Sequence, residues 1–161
     1  MRMIRLVCVC LLLAPWCNAL GEEAFEGVPV PEGFKQVKDA TLQSFREEIK
    51  AKKLSRQAMN VLGLIMIMPD DDIDSVKIYT GNMPLKKVVV FYETESDRRK
   101  DIEITHEKWD NTSGKAEGKK KDAASLFTVI PQGDAPPCYI GAYREENGTE
   151  TKLCVIRAKP L

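Results

Sequence analysis

The chain has 161 residues, with 24 basic and 24 acidic side chains and one histidine, so its formal net charge at neutral pH is zero. Without a large positive charge it has no general attraction to phosphate backbones, which argues against nucleic-acid binding as its main activity. The length is that of one domain with a single core, and no internal repeat is visible.

Residues 1–19 have the three parts of a cleavable signal peptide. Arg2 and Arg5 form a basic start, an apolar stretch runs from Leu6 to Trp16, and Ala19 is a small residue before the expected cut. The apolar stretch is too short to cross a bilayer, which takes roughly 20 residues. We therefore predict a secreted or periplasmic protein whose mature chain has no transmembrane segment.

A lipid-anchored form is the alternative, with Cys17 as the acylated residue. Pro15 and Trp16 argue against it, because a lipobox has small residues at these two positions.

Residues 20–33 are acidic and contain two prolines, which indicates an extended lead-in, mobile at its start, to a single domain over residues 34–161. The first predicted helix covers residues 39–53 and ends in lysines, which suit a helix C-terminus. Its apolar residues at helical spacing are Leu42, Phe45 and Ile49.

The most hydrophobic run after the signal segment is Val61 to Met68, which Pro69 ends. Eight residues that are apolar except for Gly63 are typical of a strand that is covered on both faces. We therefore predict the central strand of a sheet here.

The rest of the chain is predicted to form mainly strands. Residues 75–80 alternate apolar and polar side chains, whereas residues 85–94 fit both a helix and a strand, and we favour the helix. Further strands are predicted at residues 102–108, 125–130, 138–144 and 150–157. The predicted fold is an α+β domain, mainly an antiparallel β-sheet with one or two helices packed on one face.

Two cysteines, Cys138 and Cys154, remain after removal of the signal peptide, and export favours a disulfide between them. Asn147-Gly148 predicts a hairpin turn between their strands. A two-residue turn would place Cys154 opposite Gly141, too far from Cys138 for a bridge. We therefore predict a three-residue loop with a bulge at Gly148, which places Cys154 opposite Ile140 and permits the disulfide.

Asp70, Asp72 and Asp74 alternate as carboxylates do at the start of a calcium loop, and they are weak metal-site candidates. An EF-hand starting at Asp70 would need Gly and Glu where this chain has Ser75 and Gly81. An exposed acidic turn is the favoured interpretation, and no cofactor is predicted.

His106 is the only histidine, and a zincin motif would need a second one at Asp110. No G-x-S-x-G sequence nominates a serine nucleophile, so we predict a surface histidine and assign no catalytic residue.

Asn111 and Asn147 begin N-x-[ST] triplets, which makes them possible glycosylation sites in a eukaryotic host. Lys115 and residues 119–121 form a basic loop that could bind sulfated or phosphorylated groups, although a solvated loop is favoured.

These patterns favour an exported, non-enzymatic domain that binds a protein or a small apolar ligand through its sheet face or loops. One alternative is an exported hydrolase whose site is not recognisable from sequence, with His106 as its first candidate residue. Another is a structural component of an envelope or surface.

Overall fold

The structure is a computed structural model that describes residues 23–25, 27–52, 54–110, 123–145 and 148–160. The predicted signal peptide at 1–19, the glycosylation candidates Asn111 and Asn147, and the basic loop lie outside the described residues. Within the described ranges, no helix is both long and apolar enough to span a bilayer.

A six-stranded antiparallel sheet, in the order β3-β4-β8-β7-β6-β5, forms the centre of the fold. Its strands are β3 (Lys35–Gln36), β4 (Ile73–Gly81), β5 (Ile102–Asp110), β6 (Ala123–Pro131), β7 (Cys138–Arg144) and β8 (Thr151–Ala158). A separate hairpin pairs β1 (Glu23–Phe25) with β2 (Val28–Pro29). The helices are α1 (Leu42–Lys52), α2 (Arg56–Val61), α3 (Gly63–Ile67) and α4 (Leu85–Arg98), with a 3₁₀ turn at Asp70–Asp72. The predicted α+β fold with a mainly antiparallel sheet is confirmed.

Helices cover both faces of the sheet, not one face as predicted. Neighbouring residues along the inner strands point to opposite sides, and both sides are apolar. On one face, Leu153 and Val155 of β8 pack with the α4 residues Val88 and Tyr92. On the other, the residues that pack with α1, α2 and α3 include Ile78, Leu126, Tyr143, Cys154 and Ile156.

The predicted central strand at Val61–Met68 is wrong, because this run forms the end of α2, the connecting residue Leu62, α3 and its C-cap Met68. Ala58, Leu62 and Ile65 are fully buried, and their spacing of four and three residues places them on one side of a helix. A short apolar run has the same composition in a covered strand and in a helix, so periodicity does not separate the two. The helix favoured at residues 85–94 is confirmed as part of α4.

The N-terminal hairpin packs as part of the core. Ala24 and Val28 are fully buried in the same cluster as Phe34, so the expected lead-in contributes to the domain from residue 24. The buried Tyr92 hydroxyl donates a hydrogen bond of 3.2 Å to the Pro29 carbonyl, which attaches this segment to α4.

The predicted disulfide is not formed, because Cys138 and Cys154 are both free and buried. Cys154 pairs with Gly141, not with Ile140, so the predicted bulged register is wrong. Three residues along a strand span about 10 Å, beyond the roughly 7 Å limit for disulfide Cα atoms. The two thiols also lie in the clusters on opposite faces of the sheet.

At Gly141 the helical layer is in close contact with the sheet. A Cβ atom at this position would lie 2.9 Å from Ile65 Cγ1 and 3.3 Å from Leu62 Cδ2. The absence of a side chain on β7 therefore allows α2 and α3 to rest directly on the strand.

We expect Gly141→Ala to lower the free energy of unfolding by about 1–3 kcal/mol, because the added methyl group overpacks this contact. Urea unfolding followed by circular dichroism measures the change. Gly63→Ala is the matched control, since a Cβ there meets nothing within 4 Å and alanine favours the helix. Equal unfolding midpoints for Gly141→Ala and the wild type would contradict the packing assigned to Gly141.

Candidate functional site

An apolar groove of about 630 Å³ lies between α3 and the adjoining ends of β7 and β8. One wall comes from α3 and the residues after it, and the other comes from the start of β7 and the chain after β8. The apolar side chains in its lining include Leu64, Ile67, Met68, Pro137, Tyr139 and Pro160. We refer to this surface as the α3 groove.

Ile67 is the most solvent-exposed large hydrophobic residue of the described chain, with 78% of its surface exposed. The next are Val90 at 52% and Ile130 at 44%. The cause is the all-round apolar sequence of α3, which buries Ile65 against the sheet and leaves Ile67 on the outer side. An exposed apolar side chain beside an apolar groove is typical of an interaction site.

Arg46 of α1 fixes the wall of the α3 groove. Its Nε donates to the Ile65 carbonyl at 3.0 Å, and a terminal nitrogen donates to the Met68 carbonyl. These acceptors lie in the last turn of α3 and just beyond it, where the carbonyls have no partner within the helix. The other terminal nitrogen forms an ion pair of 3.0 Å with Asp70. One guanidinium thus joins α1, the end of α3 and the acidic turn.

The structure does not bring the three calcium candidates together as a site. Asp70 is paired with Arg46, and Asp74 is paired with Arg157 at 2.6 Å. Hydrogen bonds from Ser75 and Arg157 hold the pKa of Asp74 below its usual range. Across the described ranges, no group of three potential metal-ligating side chains is found.

Asp71 and Asp72 have a different setting, because both line the α3 groove and are exposed. Neither carboxylate forms an ion pair with another described residue. The main chain of the turn is held to the end of β8, where the Lys159 amide donates to the Asp72 carbonyl at 2.9 Å. The turn therefore presents two acidic side chains at the rim of an apolar surface.

A second, polar pocket of about 290 Å³ lies between α1 and the β7–β8 hairpin. Glu48 accepts a hydrogen bond of 2.7 Å from the Tyr143 hydroxyl and one of 2.6 Å from Lys152 Nζ. Lys52 forms an ion pair of 3.3 Å with Glu145 in the same pocket. These contacts attach α1 to the sheet, and we interpret them as structural.

The charge of Glu48 depends on this network. Partial burial raises the pKa of a carboxyl group, but the hydrogen bonds from Lys152 and Tyr143 and the charge of Lys52 outweigh it, so the pKa of Glu48 is lowered. Burial and the hydrogen bond to Glu48 raise the pKa of Tyr143. Tyr143 therefore remains a neutral donor.

His106 lies on β5 against the opposite face of the sheet from the α3 groove. Its ring stacks on Phe127 with centroids 4.6 Å apart, and its Nδ1 lies 3.6 Å from Glu93 Oε1. Its side chain is 14% exposed, so the predicted surface histidine is largely covered. Neither of these two neighbours carries a hydroxyl or thiol nucleophile.

Comparisons of the chain with protein-family models, with curated proteins and with solved structures give no match. The assignment of a site therefore depends on the chemistry of the α3 groove.

Sequence reasoning missed the α3 groove because it interpreted its wall as a buried strand. A signal was present: Ala58, Leu62 and Ile65 are spaced as one helical face, which leaves Leu64 and Ile67 on another. The contribution of Pro137 and Pro160 could not be found in this way, since they are distant from α3 in sequence.

We expect Glu48→Gln to lower the free energy of unfolding at neutral pH by about 1–2 kcal/mol, because the hydrogen bonds from Tyr143 and Lys152 to a charged acceptor weaken. The pKa of Glu48 is below its ordinary value of 4.5 in the fold, so its charge stabilises the protein above that value. This stabilisation is lost as the pH falls through the folded-state pKa.

Urea unfolding of both proteins at neutral pH and at about pH 3 tests this, and the difference between them should shrink at acidic pH. Glu47→Gln is the control, because Glu47 is exposed and hydrogen-bonded to Gln43 of its own helix. A difference that is the same at both pH values would contradict the role of the Glu48 charge.

Proposed function

We propose that this protein is a small exported, non-enzymatic domain that binds a segment of a partner protein in the α3 groove. The observation that carries the proposal is the 78% exposure of Ile67 next to the apolar lining of the groove. Burial of such a side chain by a partner yields free energy in proportion to the apolar area removed from water.

A protein segment fits the α3 groove better than a small apolar ligand does. Small-molecule sites bury most of the ligand surface within a cleft. Here the outer apolar side chain is itself largely in solvent, so a small ligand touching Ile67 would remain wet on its other side. A protein segment has apolar surface beyond the one side chain that contacts Ile67. This additional surface shields both Ile67 and the contacting side chain from water.

The sheet faces, which the sequence suggested as binding surfaces, are less suitable. The inner strands are covered by α4 on one face and by α1, α2 and α3 on the other. The proposed site is therefore a helix surface at the end of the sheet.

Free thiols are compatible with the proposed export. Thiolate is the form that oxidises, and burial raises the pKa of Cys138 to about 11 and that of Cys154 to about 12. Both side chains are also covered, at 2% and 0% exposure. The fold thus protects its cysteines without a bridge.

We expect Ile67→Asp to weaken binding of a partner peptide about ten-fold or more, because a carboxylate replaces the central apolar contact. The probe is a phage-displayed library of random peptides selected on the wild-type protein. Affinities of the selected peptides are then measured by fluorescence anisotropy with the wild type and the variant.

Val90→Asp is the matched control, since Val90 is exposed on α4 and lies outside the groove. Equal urea midpoints for both variants and the wild type establish that the fold is retained. A selection that yields no peptide sensitive to Ile67→Asp would refute the proposed function. Sedimentation of the wild type shows whether a second copy of the chain occupies the groove instead, which would also refute it.

We expect the protein isolated from its natural host to have the intact mass of residues 20–161, unchanged by reduction. Alkylation after denaturation should label two thiols, because Cys138 and Cys154 lie on opposite faces of the sheet. A retained segment 1–19 would contradict export. A gain of two hydrogens on reduction would contradict the strand register of the hairpin.

A further inference from the structure

We infer that the partner segment bound in the α3 groove is basic, with Lys or Arg side chains next to its apolar anchor. This inference rests on the proposed function and adds the charge of the partner to it. The observation behind it is that Asp70 and Asp74 form ion pairs with arginines, whereas the two carboxylates between them form no ion pair with another described residue.

The two outer carboxylates of this segment are neutralised within the fold. Asp70 pairs with Arg46, whose side chain is 11% exposed, and Asp74 pairs with Arg157. These two contacts join the segment to α1 and to β8. Each of these two charges is therefore balanced by an arginine of the fold, although the Asp70 side chain itself is 81% exposed.

The two carboxylates that line the groove, Asp71 and Asp72, have no such partner among the described residues. The lining contains one basic residue, Lys159. The rim of the groove therefore carries a net negative charge beside the exposed Ile67.

This arrangement selects among apolar segments by their charge. A Lys or Arg next to the anchor would meet Asp71 or Asp72, whereas a Glu or Asp in the same place would be repelled. Exposed pairs of this kind contribute little affinity each, so the charge determines preference and the apolar contact provides most of the binding. The turn is fixed at both ends by the arginine pairs, so the two carboxylates are held near the groove before binding.

The test uses a peptide from the selection described above, one whose binding depends on Ile67. Three forms are synthesised with the same apolar residues and with Lys, Gln or Glu at the flanking positions. We expect the Lys form to bind the wild type roughly three- to ten-fold more tightly than the Gln form, and the Glu form to bind more weakly than both. The preference should decrease at high salt.

The double variant Asp71→Asn with Asp72→Asn should bind the three peptides with nearly equal affinity. The control is Asp97→Asn with Asp134→Asn, two exposed aspartates outside the groove that undergo the same chemical change. This control should retain the preference for Lys, and urea midpoints confirm that both double variants fold.

Each outcome has a separate meaning. Binding that depends on Ile67 but is equal for the Lys, Gln and Glu forms would overturn this inference and leave the proposed function intact. A Lys preference that survives the Asp71→Asn and Asp72→Asn changes would also overturn it, since another group would then recognise the charge. Absence of any peptide sensitive to Ile67→Asp would remove the proposed function itself.

Discussion

The close contact of α2 and α3 with β7 at Gly141 is the constraint on which the candidate site depends. Because a Cβ atom would lie 2.9 Å from Ile65 Cγ1, only a residue without a side chain permits this approach. The contact buries Leu62 and Ile65 completely and thereby fixes the rotation of the helical segment. That rotation determines which apolar residues remain outside, and it is the reason that Ile67 faces solvent.

Arg46 holds the end of α3 and the following turn in place, and these form one wall of the groove. It satisfies the carbonyls of Ile65 and Met68 at the end of α3 and pairs with Asp70 in the following turn. A guanidinium suits this role because its donors form a rigid planar fork that can serve several acceptors together. The Glu48 network attaches the same helix, α1, to the β7–β8 hairpin. The hydrogen bonds and ion pairs of α1 thus hold the helix that carries the proposed binding surface in place on the sheet.

The two cysteines show how strand register decides whether a disulfide can form. The predicted export favoured a bridge, and the hairpin was predicted with a bulge that would allow it. The observed pairing of Gly141 with Cys154 separates the thiols along the strands and across the sheet. Stability is instead provided by two apolar clusters, one on each face. The strands between them carry large side chains on both sides, which agrees with the two-sided cover.

The sequence by itself determined the α+β class, most strands after residue 73, and the helices α1 and α4, because these segments have periodic apolar patterns that are local. It did not determine the state of Val61–Met68, since an apolar run of this length fits a covered strand and a helix equally well. Only the tertiary structure decided that this run packs as a helix over Gly141. It also brought Pro137, Tyr139 and Pro160 beside α3 and assigned arginines to Asp70 and Asp74 but not to Asp71 and Asp72. These are contacts between residues far apart in the chain, and their geometry is set by packing of the whole domain.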